Sequence, residues 1–284
     1  MDGGGARVES AEMTPDQPII IFQHIGKTAG TTLANVLTRL YPAEDVYVTG
    51  PDPRERMREL LAMPPSKRNS YRLIHGHMSF GLHHHLDRPA RYVTMLREPL
   101  DRLISDFWFQ KQKQGAGEDL DVQVDDFQRH IRAFESTKLD NYYVRWLCGL
   151  PGDVEAYKGP SFEVGTVDDR LFERARSNLE RHFLFVGVSD LFGQSALLLG
   201  RALRRRVYWW VSHNRTRRRP RRSQIDPSVA DRFTELNRYD YQLYYLARSR
   251  VAQAWERLGT TERAWMSLLL AVNRRLWWPP ARVG

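Results

Sequence analysis

The chain has 284 residues, 42% of them hydrophobic and 27% charged, with a formal net charge of +9 and one cysteine, Cys148. This is the composition of an ordinary globular protein long enough to bury a full core; a lone cysteine excludes an internal disulfide and a thiolate metal site, and no stretch reaches the roughly 18 consecutive apolar residues of a membrane span. The positive charge is local, since ten arginines and no acid lie between Arg201 and Arg222, which excludes the distributed basic face of a nucleic-acid binder.

Residues 1–17, with acids and glycines where a signal peptide carries an apolar core, read as a flexible leader, and 18–284 as one α/β domain. Ile19 to Phe22 is a short β-branched run suited to a strand buried on both faces. The turn His24-Ile25-Gly26-Lys27-Thr28-Ala29-Gly30 follows. Leu33, Val36, Leu37 and Leu40 then repeat at helical spacing, with Thr31 or Thr32 as the expected N-cap. Asp45 to Thr49 reads as a strand, Pro53 to Met63 as a helix, Pro64 to Ser70 as a surface loop and Tyr71 to Ile74 as a strand ending in His75-Gly76-His77.

Ala90 to Leu96 is the most strand-like segment and runs into Arg97-Glu98-Pro99. A helix from Leu100 carries Leu103, Ile104, Phe107 and Trp108 on one face. Gly115 to Asp121 is a polar break, Val124 to Phe134 and Asn141 to Leu147 are expected helices, and Gly149 to Thr166 a loop. Asp168 to His182 is an amphipathic helix, Phe183 to Val188 a strand, Leu191 to Leu203 a helix, and the chain from about Ser228 to Arg275 is helical. Strands alternating with helices predict a parallel sheet with helices on both faces, whose ligands sit at the carboxyl ends of the strands.

That rule brings three places together, because the glycine-rich turn, the His75/His77 pair and Arg97 each follow directly on a predicted strand. The turn joins a strand to a helix N-terminus and adds the charge of Lys27, which makes an anion pocket, most naturally for phosphate. It is not a Walker A loop, whose first glycine is replaced here by Ile21. The plainer reading of the turn is a βα connection rich in glycine only for packing.

Four stretches in order, residues 22–33 (FQHIGKTAGTTL), 75–80 (HGHMSF), 93–109 (VTMLREPLDRLISDFWF) and 185–199 (FVGVSDLFGQSALLL) with the basic loop 213–220 (HNRTRRRP), resemble the sulfotransferase superfamily. The branch resembled is that of the heparan sulfate 2-O-sulfotransferases and their bacterial carbohydrate-sulfating relatives. The resemblance implies a P-loop-like α/β fold, with 3′-phosphoadenosine 5′-phosphosulfate as donor, no metal, and a hydroxyl acceptor on a glycan or glycan precursor. It implies that Lys27, Thr28, Ala29, Gly30, Thr31 and Thr32 hold the 5′-phosphosulfate, that Arg97 and Ser105 bind the 3′-phosphate, and that Arg215, Thr216 and Arg217 close over the phosphates. His77, with His75 as the other candidate, is the implied general base, and Lys27 the group that stabilises the leaving phosphate. The family's usual Pro-Lys-Thr-Gly-Gly-Thr-Ser differs here at Gly26, Ala29 and Thr32, and Gly26 in place of proline predicts a looser turn.

Other readings of the same residues stand beside these. A histidine at a strand end is by default structural, and His24 either touches the cofactor or packs. His83 to His85 are consecutive and cannot converge on one ion from a regular element, so they read as a solvated turn. Arg97 could pair with Glu98 or Asp101, and the arginine segment could be a solvated loop, a cofactor clamp or a receiver for an anionic acceptor. The apolar C-terminal stretch around Trp265, Leu268 to Leu270 and Trp277 suits core packing, a dimer contact or peripheral membrane contact. The chain is expected to be soluble and cytoplasmic. A kinase is disfavoured because no acidic metal-binding residue is evident near the turn; a non-catalytic nucleotide or polyanion binder is the other alternative. Residues 110–180, expected to shape the acceptor site, carry no motif.

Overall fold

The computed structural model describes residues 17–50, 52–114, 120–150, 152–155, 162–211, 219–220 and 222–277. Five parallel strands form one sheet in the order β2-β3-β1-β4-β5: β1 (Ile19–Gln23), β2 (Val46–Val48), β3 (Leu73–Gly76), β4 (Ala90–Leu96) and β5 (Phe183–Val188). Every residue of β1 is buried, and its alternation sorts side chains to the two faces of the sheet. Ile20 and Phe22 join one hydrophobic cluster, and Ile19 and Ile21 join another with Tyr47, Met57 and Leu60. A fully buried isoleucine of this kind contributes about 1.5–3 kcal/mol.

The helices are α1 (Gly30–Thr38), α2 (Pro53–Ala62), α3 (Pro65–Arg68), α4 (Pro99–Lys113), α5 (Leu120–Ala133), α6 (Tyr142–Leu147), α7 (Asp169–His182), α8 (Phe192–Ala202), α9 (Pro227–Leu236), α10 (Arg238–Glu256) and α11 (Thr260–Trp277). Two departures from the sequence reading have local causes. The segment expected as a loop at 64–70 contains the single turn α3, because Pro65 at its first position is pre-set to a helical φ; it stays on the surface, with none of its residues buried. The polar break ends sooner than expected, with α5 starting at Leu120, while 115–119 lie outside the described residues.

The C-terminal helices build onto the sheet's first face: Tyr239, Leu243 and Val251 of α10 and Met266 of α11 belong to the cluster that holds Ile20 and Phe22. A third cluster joins Leu103, Ile104 and Trp108 of α4 to Phe127 of α5 and Phe233 of α9. Since β3 lies on one side of β1 and β4 on the other, the loops leaving these strands diverge at the carboxyl end of β1. A parallel sheet opens its ligand crevice at such a point.

Candidate active site

The turn after β1 reaches α1 through two left-handed residues, Lys27 and Ala29, each at φ 66°. Non-glycine residues seldom take this conformation outside ligand clamps and tight turns. Gly26, where the sequence pattern places the looseness, is not left-handed, and a Cβ there would meet only Tyr142 Oη at 3.6 Å. The conformational demand falls on its neighbours instead. The threonine cap expected for α1 is also displaced: Ala29 is the N-cap residue and has no capping side chain, with Thr31 and Thr32 already in the first turn. Ala29, Gly30, Thr31 and Thr32 therefore bring the helix N-terminus, with its amide N–H groups and dipole, to the cavity wall.

The three strand ends do converge. A cavity of about 1310 Å³ is lined by His24, Lys27, His77, Arg97 and Ser105, among others. The Arg97 guanidinium donates from Nη1 to the Lys27 carbonyl at 3.2 Å, so the residue after β4 touches the turn after β1. Its Nε and Nη2 each lie 2.6 Å from Asp101 Oδ2, in the first turn of α4. Burial raises the Asp101 carboxyl, but Arg97 and Arg219 outweigh it and hold the group below the usual carboxylate range. Lys27 Nζ sits 3.6 Å from the centroid of the Phe109 ring. Burial lowers its ammonium to about 8, helped by the nearby positive charges of Arg97, Lys113 and Arg219.

Gly76 lets the chain leave β3 abruptly: it takes φ +143°, and a Cβ there would overlap the Thr49 hydroxyl. His75 and His77 thereby part. His75 is buried beneath α1, with Nε2 3.2 Å from Thr38 Oγ1, and is not among the cavity-lining residues. His77 lines the cavity, stacked on His24 with ring centroids 4.3 Å apart. Its Nδ1 is 2.7 Å from the His24 carbonyl oxygen. A carbonyl can only accept, so Nδ1 carries the proton and Nε2 is the basic nitrogen. Burial keeps the His77 ring below its ordinary value, against the opposing effect of that hydrogen bond. His24 packs on His77 and also lines the cavity, and its ring fills the place where a side chain on Gly30 would stand.

Residues far apart in sequence brace this arrangement. Gln23, fully buried at the end of β1, donates from Nε2 to the carbonyls of Met78 (3.0 Å) and Trp146 (2.7 Å), tying the His77 loop to α6. Asp240 of α10 accepts the backbone N–H groups of Tyr143 (2.9 Å) and Val144 (3.1 Å) at the start of α6, and burial pushes its carboxyl up to about 7. Tyr143 Oη in turn donates to the Arg97 carbonyl at 2.6 Å. Tyr142 and Trp146 of α6 form an aromatic wall of the cavity, their rings edge-on at 5.9 Å.

Among the other residues marked by the sequence, Thr28 does not line the cavity. It is fully buried, and its hydroxyl donates to the Ile25 carbonyl at 2.8 Å, bracing the turn. Ser105 is buried on the cavity wall. Arg215, Thr216 and Arg217 lie outside the described residues. The end of that segment returns to the site, with Arg219 paired to Asp101 and Arg222 to Glu98 at 2.6 Å. Acids stand nearer the turn than the sequence suggested, since Asp101 and Asp106 both line the cavity, and each is engaged by cations: Asp101 by the two arginines, and Asp106 by Lys138 at 2.8 Å. His83 pairs with Tyr92 Oη at 3.0 Å, and among the described residues no group of three His, Cys, Asp or Glu side chains could hold a metal ion.

The galactose-3-O-sulfotransferase family model matches residues 4–275. The chain belongs to the galactose-3-O-sulfotransferase family. A sulfotransferase family is what the four motifs indicate, and the branch matched is the galactose-3-O one; nothing in the match speaks for the heparan sulfate 2-O branch. None of the curated proteins compared with this sulfotransferase-family chain matches it.

The position of His75 in this family member carries a prediction about stability. Burial lowers its ring to about 4, whereas an unfolded histidine titrates near 6.5. The unfolded chain binds more protons between these values, so the contribution is complete above about 6.5 and is lost as pH falls through about 4, roughly 3 kcal/mol in all. Urea midpoints measured at neutral and mildly acidic pH are expected to diverge less in His75→Gln than in the wild type.

Proposed function

We propose that the protein transfers a sulfuryl group from 3′-phosphoadenosine 5′-phosphosulfate to a hydroxyl of a galactose-containing glycan, the 3-hydroxyl being the position named by its family. The observation that carries this reading is the contact of Arg97 with the Lys27 turn on the wall of one cavity. Two cations on neighbouring strand ends, a helix N-terminus and a buried serine suit a donor with phosphate at both ends of its nucleoside.

The donor supplies the activated sulfuryl group. Sulfuryl transfer resembles phosphoryl transfer in asking the protein mainly for in-line positioning and charge neutralisation. Lys27 supports the charge that collects on the leaving phosphate, while Arg97 and Ser105 hold the 3′-phosphate. His77 Nε2 takes the proton of the acceptor hydroxyl, with Nδ1 committed to the His24 carbonyl. Tyr142 and Trp146 offer the apolar face of a sugar ring an aromatic surface beside His77, whose ring centroid lies 6.4 Å from that of Trp146.

The test is transfer of labelled sulfate from the donor to a panel of β-galactosides, with linkage analysis of the product. Label on the galactose 3-hydroxyl is the expected result. Transfer confined to a uronic-acid acceptor would move the chain to a heparan-type reaction. No transfer despite tight binding of the nucleotide would make it a passive binder.

A further inference from the structure

Helix α11 is apolar on both sides. Met266, Leu269 and Leu270 pack on the main hydrophobic cluster, with Asn273 buried beside them. On the opposite arc Ala264, Trp265, Leu268, Ala271 and Val272 are all exposed, and an outward face of this kind is ordinarily polar. Leu268 leaves 62% of its surface to solvent, Val272 44% and Trp265 43%.

The face continues onto the chain that follows α8. Tyr208 stands edge-on to Trp265 with centroids 6.4 Å apart, and Trp209 and Val211 are each 52% exposed. Asn273 fastens this segment to the helix, accepting from the Trp210 N–H at 3.1 Å and donating to the Tyr208 carbonyl at 2.9 Å. Tyr208 is thereby held against the exposed arc of α11, while the neighbouring Trp209 ring stands against Arg39 at the C-cap of α1.

Cations border this patch. The Arg39 guanidinium lies 3.9 Å over the Trp209 ring, Arg206 donates to Tyr208 Oη at 3.4 Å, and Arg204 is exposed. The one acid in residues 201–211 and 260–273 is Glu262, and it is paired with Arg201 at 3.1 Å.

We propose that this patch docks the protein on the surface of an anionic lipid bilayer, with Trp209, Trp265, Leu268 and Val272 entering the headgroup boundary and the bordering arginines meeting lipid phosphates. Tryptophan and tyrosine, apolar bodies with a polar tip, suit that boundary, and arginine stems lie along apolar surface while the charge reaches outward. The contact is superficial, since among the described residues no helix is long and apolar enough to cross a membrane. A second copy of the chain is a poorer occupant. Two-fold pairing would set the arginine-rich segment against its own image, and an anionic surface reverses that repulsion. Trp210, Leu270 and Asn273 of the same two elements line the cavity, so docking brings that wall of the site close to the bilayer.

Flotation of the full chain with vesicles of phosphatidylcholine, alone or mixed equally with phosphatidylglycerol, tests this. The protein is expected to float with the anionic vesicles and not the neutral ones, less so as salt rises. The triple variant Trp209→Ser, Trp265→Ser, Leu268→Ser is expected to partition at least about tenfold less, with unchanged circular dichroism and unchanged affinity for adenosine 3′,5′-bisphosphate. Arg204→Glu with Arg206→Glu, which leaves the apolar face intact, is expected to weaken flotation as well. A wild type that does not float, or variants that float equally well, would overturn the proposal, as would dimerisation in sedimentation that the triple variant abolishes without any vesicle binding. Loss of nucleotide binding alone would strike the donor assignment and leave the docking surface standing.

Discussion

His77→Ala is expected to lower kcat by about 10²–10⁴-fold while leaving the affinity for adenosine 3′,5′-bisphosphate within a factor of about two. The imidazole lines the cavity, and its Nδ1–H is spent on the His24 carbonyl, so what the substitution removes is the basic Nε2 and the stack with His24. The pH dependence follows with a definite sign. The ring must be neutral to accept a proton, and burial holds it below the ordinary 6.5, so the acid limb of kcat/KM lies below that value. Steady-state kinetics across pH, paired with calorimetry on the variant, check both points. A variant that loses turnover and nucleotide affinity together would show that His77 supports the pocket and not the proton transfer.

Lys27→Met is expected to cost about 10²–10³-fold in kcat/KM, the usual size of the effect when one preorganised charge aimed at a developing anion is removed. Methionine keeps the stem that packs near Phe109 and deletes the charge that sits 3.6 Å from its ring. In the free protein the ammonium is lowered to about 8, chiefly by burial, so wild-type kcat/KM declines as pH rises through about 8. Bound donor phosphate favours the charged form, which moves the corresponding limb of kcat to higher pH. The alkaline limb of kcat/KM is expected to vanish in the variant, and its persistence would assign that limb to another group.

What could be read from the sequence was what is local. Ile19 to Phe22 and Ala90 to Leu96 announce strands because apolar β-branched runs of that length fit a buried parallel sheet, and the three strand-end motifs then converge by topology alone. Whether Thr31 or Ala29 caps α1 depends on left-handed backbone at Lys27 and Ala29, which residue identity does not favour and only the surrounding packing enforces. The separation of His75 from His77 turns on Gly76 against Thr49, a contact between the end of β3 and the residue that follows β2. The braces were invisible for the same reason: Gln23 to Trp146 and Asp240 to Tyr143 join residues roughly a hundred apart in sequence, with no periodicity to betray them. Tyr142 and Trp146 lie in the stretch that carried no motif, yet they line the cavity, because side chains that present an aromatic wall are chosen for surface and leave no spacing rule. The family match carries the motifs around Lys27 and Arg97 to a sulfotransferase family and does not confirm the heparan sulfate 2-O branch.

The central claim is that Lys27 and Arg97 grip one doubly phosphorylated adenosine. It is tested most directly by calorimetric titration with adenosine 3′,5′-bisphosphate in the absence of magnesium, on the wild type and on Arg97→Ala. The wild type is expected to bind, and the variant to bind about ten- to a hundredfold more weakly, the scale of charge-assisted hydrogen bonds to a phosphate. Wild-type binding that is absent, or that appears only for ATP with magnesium, would contradict the claim.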